Sequence, residues 1–185
     1  LKTAYCITLL ALSACVSAQK VKIDQAIRQA DSIIAFSHFD RVAIIEDNGD
    51  SRYVPIFLPN GYLNPKVISE RKKISKDRFL TLSVRFNNVI PVKKGEIVII
   101  DQPGCYMPHH TLYIYKDGKR SWIDMCFICG GYTCSGDLDY SDLDLNYKYT
   151  EPFASFFKAE GFHYWFDLDD TPPKLGVTVD LNARR

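Results

Sequence analysis

At 185 residues, with 46% hydrophobic and 24% charged side chains, the chain can bury a sizeable core, and its composition calls for neither disorder nor a membrane bundle. Its 23 basic and 22 acidic residues leave a formal charge of +1. That balance argues against nucleic acid or an anionic membrane surface as principal partner, because both call for a concentrated basic surface.

Residues 1–18 read as an export signal. Lys2 precedes a mostly apolar stretch from Thr3 to Leu12 that is too short to span a bilayer. Two ends fit it. ValSerAla at 16–18, before Gln19, offers small residues to a signal peptidase, whereas LeuSerAlaCys at 12–15 has the form of a lipobox whose Cys15 becomes lipidated. The expected location is therefore periplasmic, secreted or outer-membrane lipoprotein, with a lipid anchor as the sole membrane contact. About 165 residues remain, enough for one domain. Residues 19–166 are expected to form it, as a single α+β domain with an antiparallel, hairpin-containing sheet and about three helices, and 167–185 to form a loosely ordered tail.

In chain order, Asp24 can cap a first helix reaching about Phe36, since Ile23, Ile27, Ala30, Ile33 and Ile34 recur at helical spacing. Arg41–Glu46 and Tyr53–Phe57 flank AsnGly at 48–49 and predict a strand pair, with Pro55 confining the second strand to an edge. A second helix is expected within Ser69–Phe86, capped at Ser75, although its last portion also alternates like a strand. The basic run Arg71–Lys73, with Lys76 and Arg78, reads as that helix's solvated face. Glu96–Asp101, apolar at four successive positions, predicts a central strand. Glu151–Glu160 predicts a last helix, with Pro152 in its first turn and Gly161 as its stop.

Thr111–Tyr115 and Ser121–Cys126 flank LysAspGlyLys, and AspGly at 117–118 suits a two-residue type I′ turn. If Lys116 faces Lys119, His109 lies opposite Cys126, His110 opposite Met125, and Cys105 near Cys129 and Gly130. The open end of this hairpin thus gathers CysTyrMetProHisHis, CysPheIleCys and a trailing Cys134.

Three chemistries suit that convergence. Cys105, His110, Cys126 and Cys129 supply three thiolates and an imidazole for tetrahedral zinc, with His109 competing for the fourth place. Cys126 and Cys129 form a CxxC suited to thiol–disulfide exchange, although no helical pattern follows to lower a thiol pKa. Export favours a third reading, a disulfide-stapled binding or structural domain, in which Cys105 pairs with Cys126 or Cys129 and Cys134 takes the remaining one. Cysteine hydrolysis with His109 or His110 as base lacks an identifiable orienting group.

The segments Cys105–His110 and Met125–Cys129 resemble an uncharacterised family of exported bacterial proteins whose pattern runs Cys, Tyr, any residue, Pro, Arg, His and later Ile, Cys, Phe, Glu, Cys. Cys105, Tyr106, Pro108, His110, Cys126, Phe127 and Cys129 match it. His109, Met125 and Ile128 depart, replacing arginine, isoleucine and glutamate. The resemblance covers roughly thirty residues. It implies no activity, favours His110 over His109, leaves Cys134 outside the shared set and leans toward metal.

Other features read as structural. Asp137, Asp139, Asp142 and Asp144 lack the glycine and glutamate of a calcium loop and fit a solvated turn. His163 lies in an aromatic run that reads as core, and His38 can favour the end of the first helix. A protein or small-molecule partner is expected, of a kind the residues do not name.

Overall fold

The computed structural model describes residues 20–39, 43–45, 51–87, 107–128, 131–139, 150–166, 170–171 and 174–183. In chain order it forms β1 (Val21–Lys22), α1 (Ile23–Gln29), β2 (Ser32–His38), β3 (Ala43–Ile45), β4 (Ser51–Tyr53) and β5 (Ile68–Ile74). Then follow α2 (Phe79–Asn87), β6 (His110–Lys116), β7 (Lys119–Met125), β8 (Tyr132–Cys134), β9 (Leu138–Asp139), α3 (Thr150–Ala159) and β10 (Val179–Asp180). The main sheet has six strands in the order β10-β5-β2-β6-β7-β8, antiparallel except for the β10–β5 pair. This is the expected α+β domain.

The β6–β7 hairpin has the expected register. Lys116 pairs with Lys119 and His110 with Met125, while Asp117 (φ 49°) and Gly118 (φ 73°) both take the left-handed conformation that a type I′ turn demands. Asp31 Oδ2 accepts the Asp117 amide at 2.8 Å and ties the turn to the start of β2.

Both faces of the sheet are covered. On one, Ile33, Ala35, Leu112, Ile114, Ile123 and Met125 pack against α1, α2 and α3 through Ile27, Leu82, Phe156 and Phe157. On the other, Phe36 and Tyr113 are buried beneath Leu63, with Ile34, Tyr115 and Trp122 beside them. The Tyr113 hydroxyl accepts the Leu63 amide, and Arg120 lies 3.6 Å over the Tyr62 ring, so the 54–64 segment is held down by both polar and cation–π contacts.

This double coverage explains the main departures from expectation. The first helix stops at Gln29, and Ser32–His38 is the central strand β2. A strand buried on both faces is apolar at successive positions, so its periodicity imitates a helix. Asp24 lies within α1 and pairs with Arg28 four residues on, rather than capping it. Similarly, Ser69–Ile74 belongs to strand β5, and only the part after Ser75 is helical. Arg71–Lys73 thus lies on a strand. The early hairpin is β3 with β4, which ends at Tyr53 two residues before Pro55. The last helix forms as expected, and Gly161 (φ 90°) follows it. In the segment expected as a loose tail, Val179–Asp180 adds a parallel strand to β5, and Leu181 reaches the core. The 96–101 strand lies outside the described residues.

Because no atom comes within 4 Å of a Cβ built on Gly118, replacement there tests backbone conformation alone. Gly118→Ala should lower unfolding free energy by about 1 kcal/mol, measured by urea denaturation, with the fold retained by circular dichroism.

Candidate functional site

The sequence places Ser37 and His38 at the end of one buried strand, HisHisThr at the start of its neighbour, and Glu70 in a third. The sheet brings these positions together. The chain has four histidines, and all of them, His38, His109, His110 and His163, gather at this one end. Ser37 pairs with His110 and Glu70, while the His38 amide donates to the His109 carbonyl at 2.8 Å. Alternation then divides the polar groups between the two faces.

On one face, His38, Thr111 and Asp124 form a buried network. His38 Nε2 lies 2.9 Å from Thr111 Oγ1 and 3.3 Å from Asp124 Oδ1, and the Thr111 hydroxyl lies 2.6 Å from the same carboxylate oxygen. Nδ1 is 3.1 Å from the Phe39 carbonyl, which can only accept, so Nδ1 carries a proton. The Thr111 hydroxyl donates to the carboxylate and also contacts Nε2, so the three side chains engage one another inside the protein, as members of a buried polar network must.

On the helical face, Glu70 is fully buried and accepts several donors. Ser37 Oγ donates to Oε2 at 2.7 Å, the His163 amide to Oε1 at 3.0 Å, the Tyr164 amide to Oε2 at 3.3 Å, and His163 Nδ1 to Oε1 at 3.2 Å. These bonds anchor the turn after α3, in which Trp165 has φ 72°, a costly value for a non-glycine residue. The Trp165 indole donates to Ser69 Oγ at 3.1 Å, and its ring stacks on His109 with centroids 4.4 Å apart. The His163 side chain is 60% exposed while its carboxylate partner is 1% exposed. Glu70 thus holds one ring nitrogen and fixes the direction of the other, the arrangement that orients an imidazole for proton transfer or ligation.

The two central histidines sit in apolar surroundings. Burial pushes the His109 pKa down to about 4, opposed by the hydrogen bond from its Nδ1 to the His38 carbonyl. Burial lowers His110 further. It is wholly enclosed by Phe127, Phe157 and Phe166, donates from Nε2 to the Tyr164 carbonyl at 3.1 Å, and keeps Nδ1 without a hydrogen-bond partner.

Of the expected metal set, Cys105 and Cys129 lie outside the described residues, as does Cys15. His110 faces an aromatic pocket. Cys126 is 2% exposed and disulfide-bonded. Cys134, considered above as a disulfide partner, is instead a free thiol on β8, its pKa raised chiefly by burial. Among the described residues no group of three or more His, Cys, Asp or Glu side chains has the geometry to hold a metal ion. Asp137 accepts from the Ser121 hydroxyl, while Asp142 and Asp144 lie outside the described residues.

The sequence reading did not single out Glu70, Thr111 or Asp124, and it set His38 and His163 aside. Their signal is polar residues inside otherwise apolar strands, which becomes visible only once Ser32–His38 and Ile68–Ile74 are read as strands. No protein family, curated protein or solved structure matches the chain.

The depressed His109 pKa has a definite stability sign. Its folded value lies below the unfolded one, so between about pH 6.5 and about pH 4 the unfolded chain binds more protons, and stability falls as pH falls through that window. Urea titrations should show His109 contributing a loss of about 2 kcal/mol between about pH 7 and about pH 5. His109→Gln should reduce the slope by that amount; an unchanged slope would place the acid sensitivity elsewhere. Glu70→Leu should cost about 3 kcal/mol or more in the same assay, because Ser37 and two backbone amides lose their acceptor.

Proposed function

We propose that the chain is an exported domain stapled by a disulfide at the mouth of the β6–β7 hairpin, and that it works as a binding domain. The observation that carries this reading is the state of Cys126, disulfide-bonded and 2% exposed where β7 ends. Disulfides persist in oxidising compartments, in keeping with the leader expected at 1–18. Zinc binding through Cys126 requires its thiolate, which a disulfide removes. Exchange chemistry favours an accessible sulfur beside a helix N-terminus, whereas Cys126 is enclosed and leads into a turn at Phe127. The histidine end adds a rigid, polar surface element in His163, held by Glu70.

The test uses the full chain expressed with its leader and recovered from the exported fraction. The expected product has an intact mass about 2 Da below the all-thiol value, reactive Cys134 after mild unfolding, and zinc below about 0.1 equivalent. An N-terminus at Gln19, or a lipid adduct on Cys15, distinguishes a soluble from an anchored protein. A fully reduced chain carrying one zinc would restore the metal reading, and retention of an uncleaved chain in the cytoplasm would remove export.

A further inference from the structure

Far from the histidines, at the opposite end of β2, the surface opens into a cleft of about 510 Å3. That volume lies within the range of small-molecule sites. Its lining includes Ile74 and Phe79, which at 1% and 5% exposed belong to the core, and its exposed rim carries Arg71, Lys73 and Lys76. Asp31 is the carboxylate among the lining residues, and its Oδ2 is engaged by the Asp117 amide of the hairpin turn.

The charges on this strand are handled in two ways. Lys72, on the helical face, pairs with Glu160 at 2.9 Å, and Arg78 pairs with the same carboxylate at 2.7 Å. Among the described residues, Arg71, Lys73 and Lys76 make no salt bridge. Arg71 and Lys73 pair across the sheet with Phe36 and Ile34, so alternation puts both on one face, about 7 Å apart along the strand. Their backbone is fixed from outside: the Leu181 amide donates to the Arg71 carbonyl at 2.9 Å. The Asn182 side chain both accepts from the Lys73 amide at 2.7 Å and donates to its carbonyl at 3.1 Å. The C-terminal segment thus fixes the backbone that carries the two cations at the rim of the cleft.

We propose that this cleft binds a small organic anion bearing at least two negative charges. Arg71 supplies a planar donor fork, and Lys73 and Lys76 supply compact positive charge. The shared chemistry is a doubly charged oxyanion, either a phosphate ester or a dicarboxylate. This inference is independent of the disulfide and of export.

The test is a heteronuclear NMR titration of the full chain with phenyl phosphate and, separately, with succinate. Saturable shifts are expected at the Lys73, Ser75, Lys76 and Asn182 amides, from the phosphate if the ligand is an ester and from succinate if it is a dicarboxylate. Arg71→Gln combined with Lys73→Gln should weaken binding at least about tenfold while leaving the remaining spectrum in place, and Lys66→Gln, outside the cleft, should leave it unchanged. Failure of both probes to saturate below about 10 mM would overturn the proposal. So would equal weakening by Lys66→Gln, which would mark general charge attraction.

Discussion

The pairing register of β6 with its two neighbours is the constraint on which the rest of this structure depends. A slip of one residue would turn each β6 side chain to the opposite face, taking His110 out of the Phe127–Phe157–Phe166 pocket and Thr111 away from Asp124. The register is pinned at one end by the Asp117–Gly118 turn and by the Asp31 bond to it. At the other end it is pinned by the buried polar pairs themselves, because a misregistered His38 or Glu70 would lose its partners inside the protein.

Those polar pairs make the histidine end different from the apolar middle of the sheet. His38 and Asp124 are compensated by Thr111 and the Phe39 carbonyl, and Glu70 by a hydroxyl, two amides and an imidazole. His109 and His110 are accommodated in another way, as imidazoles that burial keeps from charging near neutral pH. The molecule therefore contains two devices for burying ionisable groups a few residues apart: one supplies partners and the other suppresses the charge. His163 is the member of the set that joins this interior to the surface.

Much of the hairpin was legible in the sequence. AspGly between alternating strands is a local signal, and local geometry at a two-residue turn dictates every pairing that follows, including His110 with Met125. The α3 boundaries were legible for a comparable reason, since Pro152 and Gly161 act on the backbone beside them. The strands β2 and β5 were not. Ile33 and Ile34 both meet apolar neighbours, one below α1 and one below the 54–64 segment, so the period-two signature of a half-exposed strand is absent. Arg71 and Lys73 are solvated as expected, but on a strand and not on a helix. The docking of Val179–Asp180 depended on Asn182 finding the Lys73 backbone 109 residues away.

By itself, the sequence determined the α+β class, the β6–β7 hairpin and its register, and the pairing of His110 with Met125. These follow from turn chemistry and spacing along a short stretch of chain. Only the tertiary structure decided that His38 and His163 join His109 and His110, that Glu70 receives the turn after α3, and that Arg71 and Lys73 border a cleft. Each of those results needs β2 and β5 side by side in one particular register. Contacts between residues 33 to 109 positions apart are set by how sheet faces are covered, a property of the assembled layers that no local window contains.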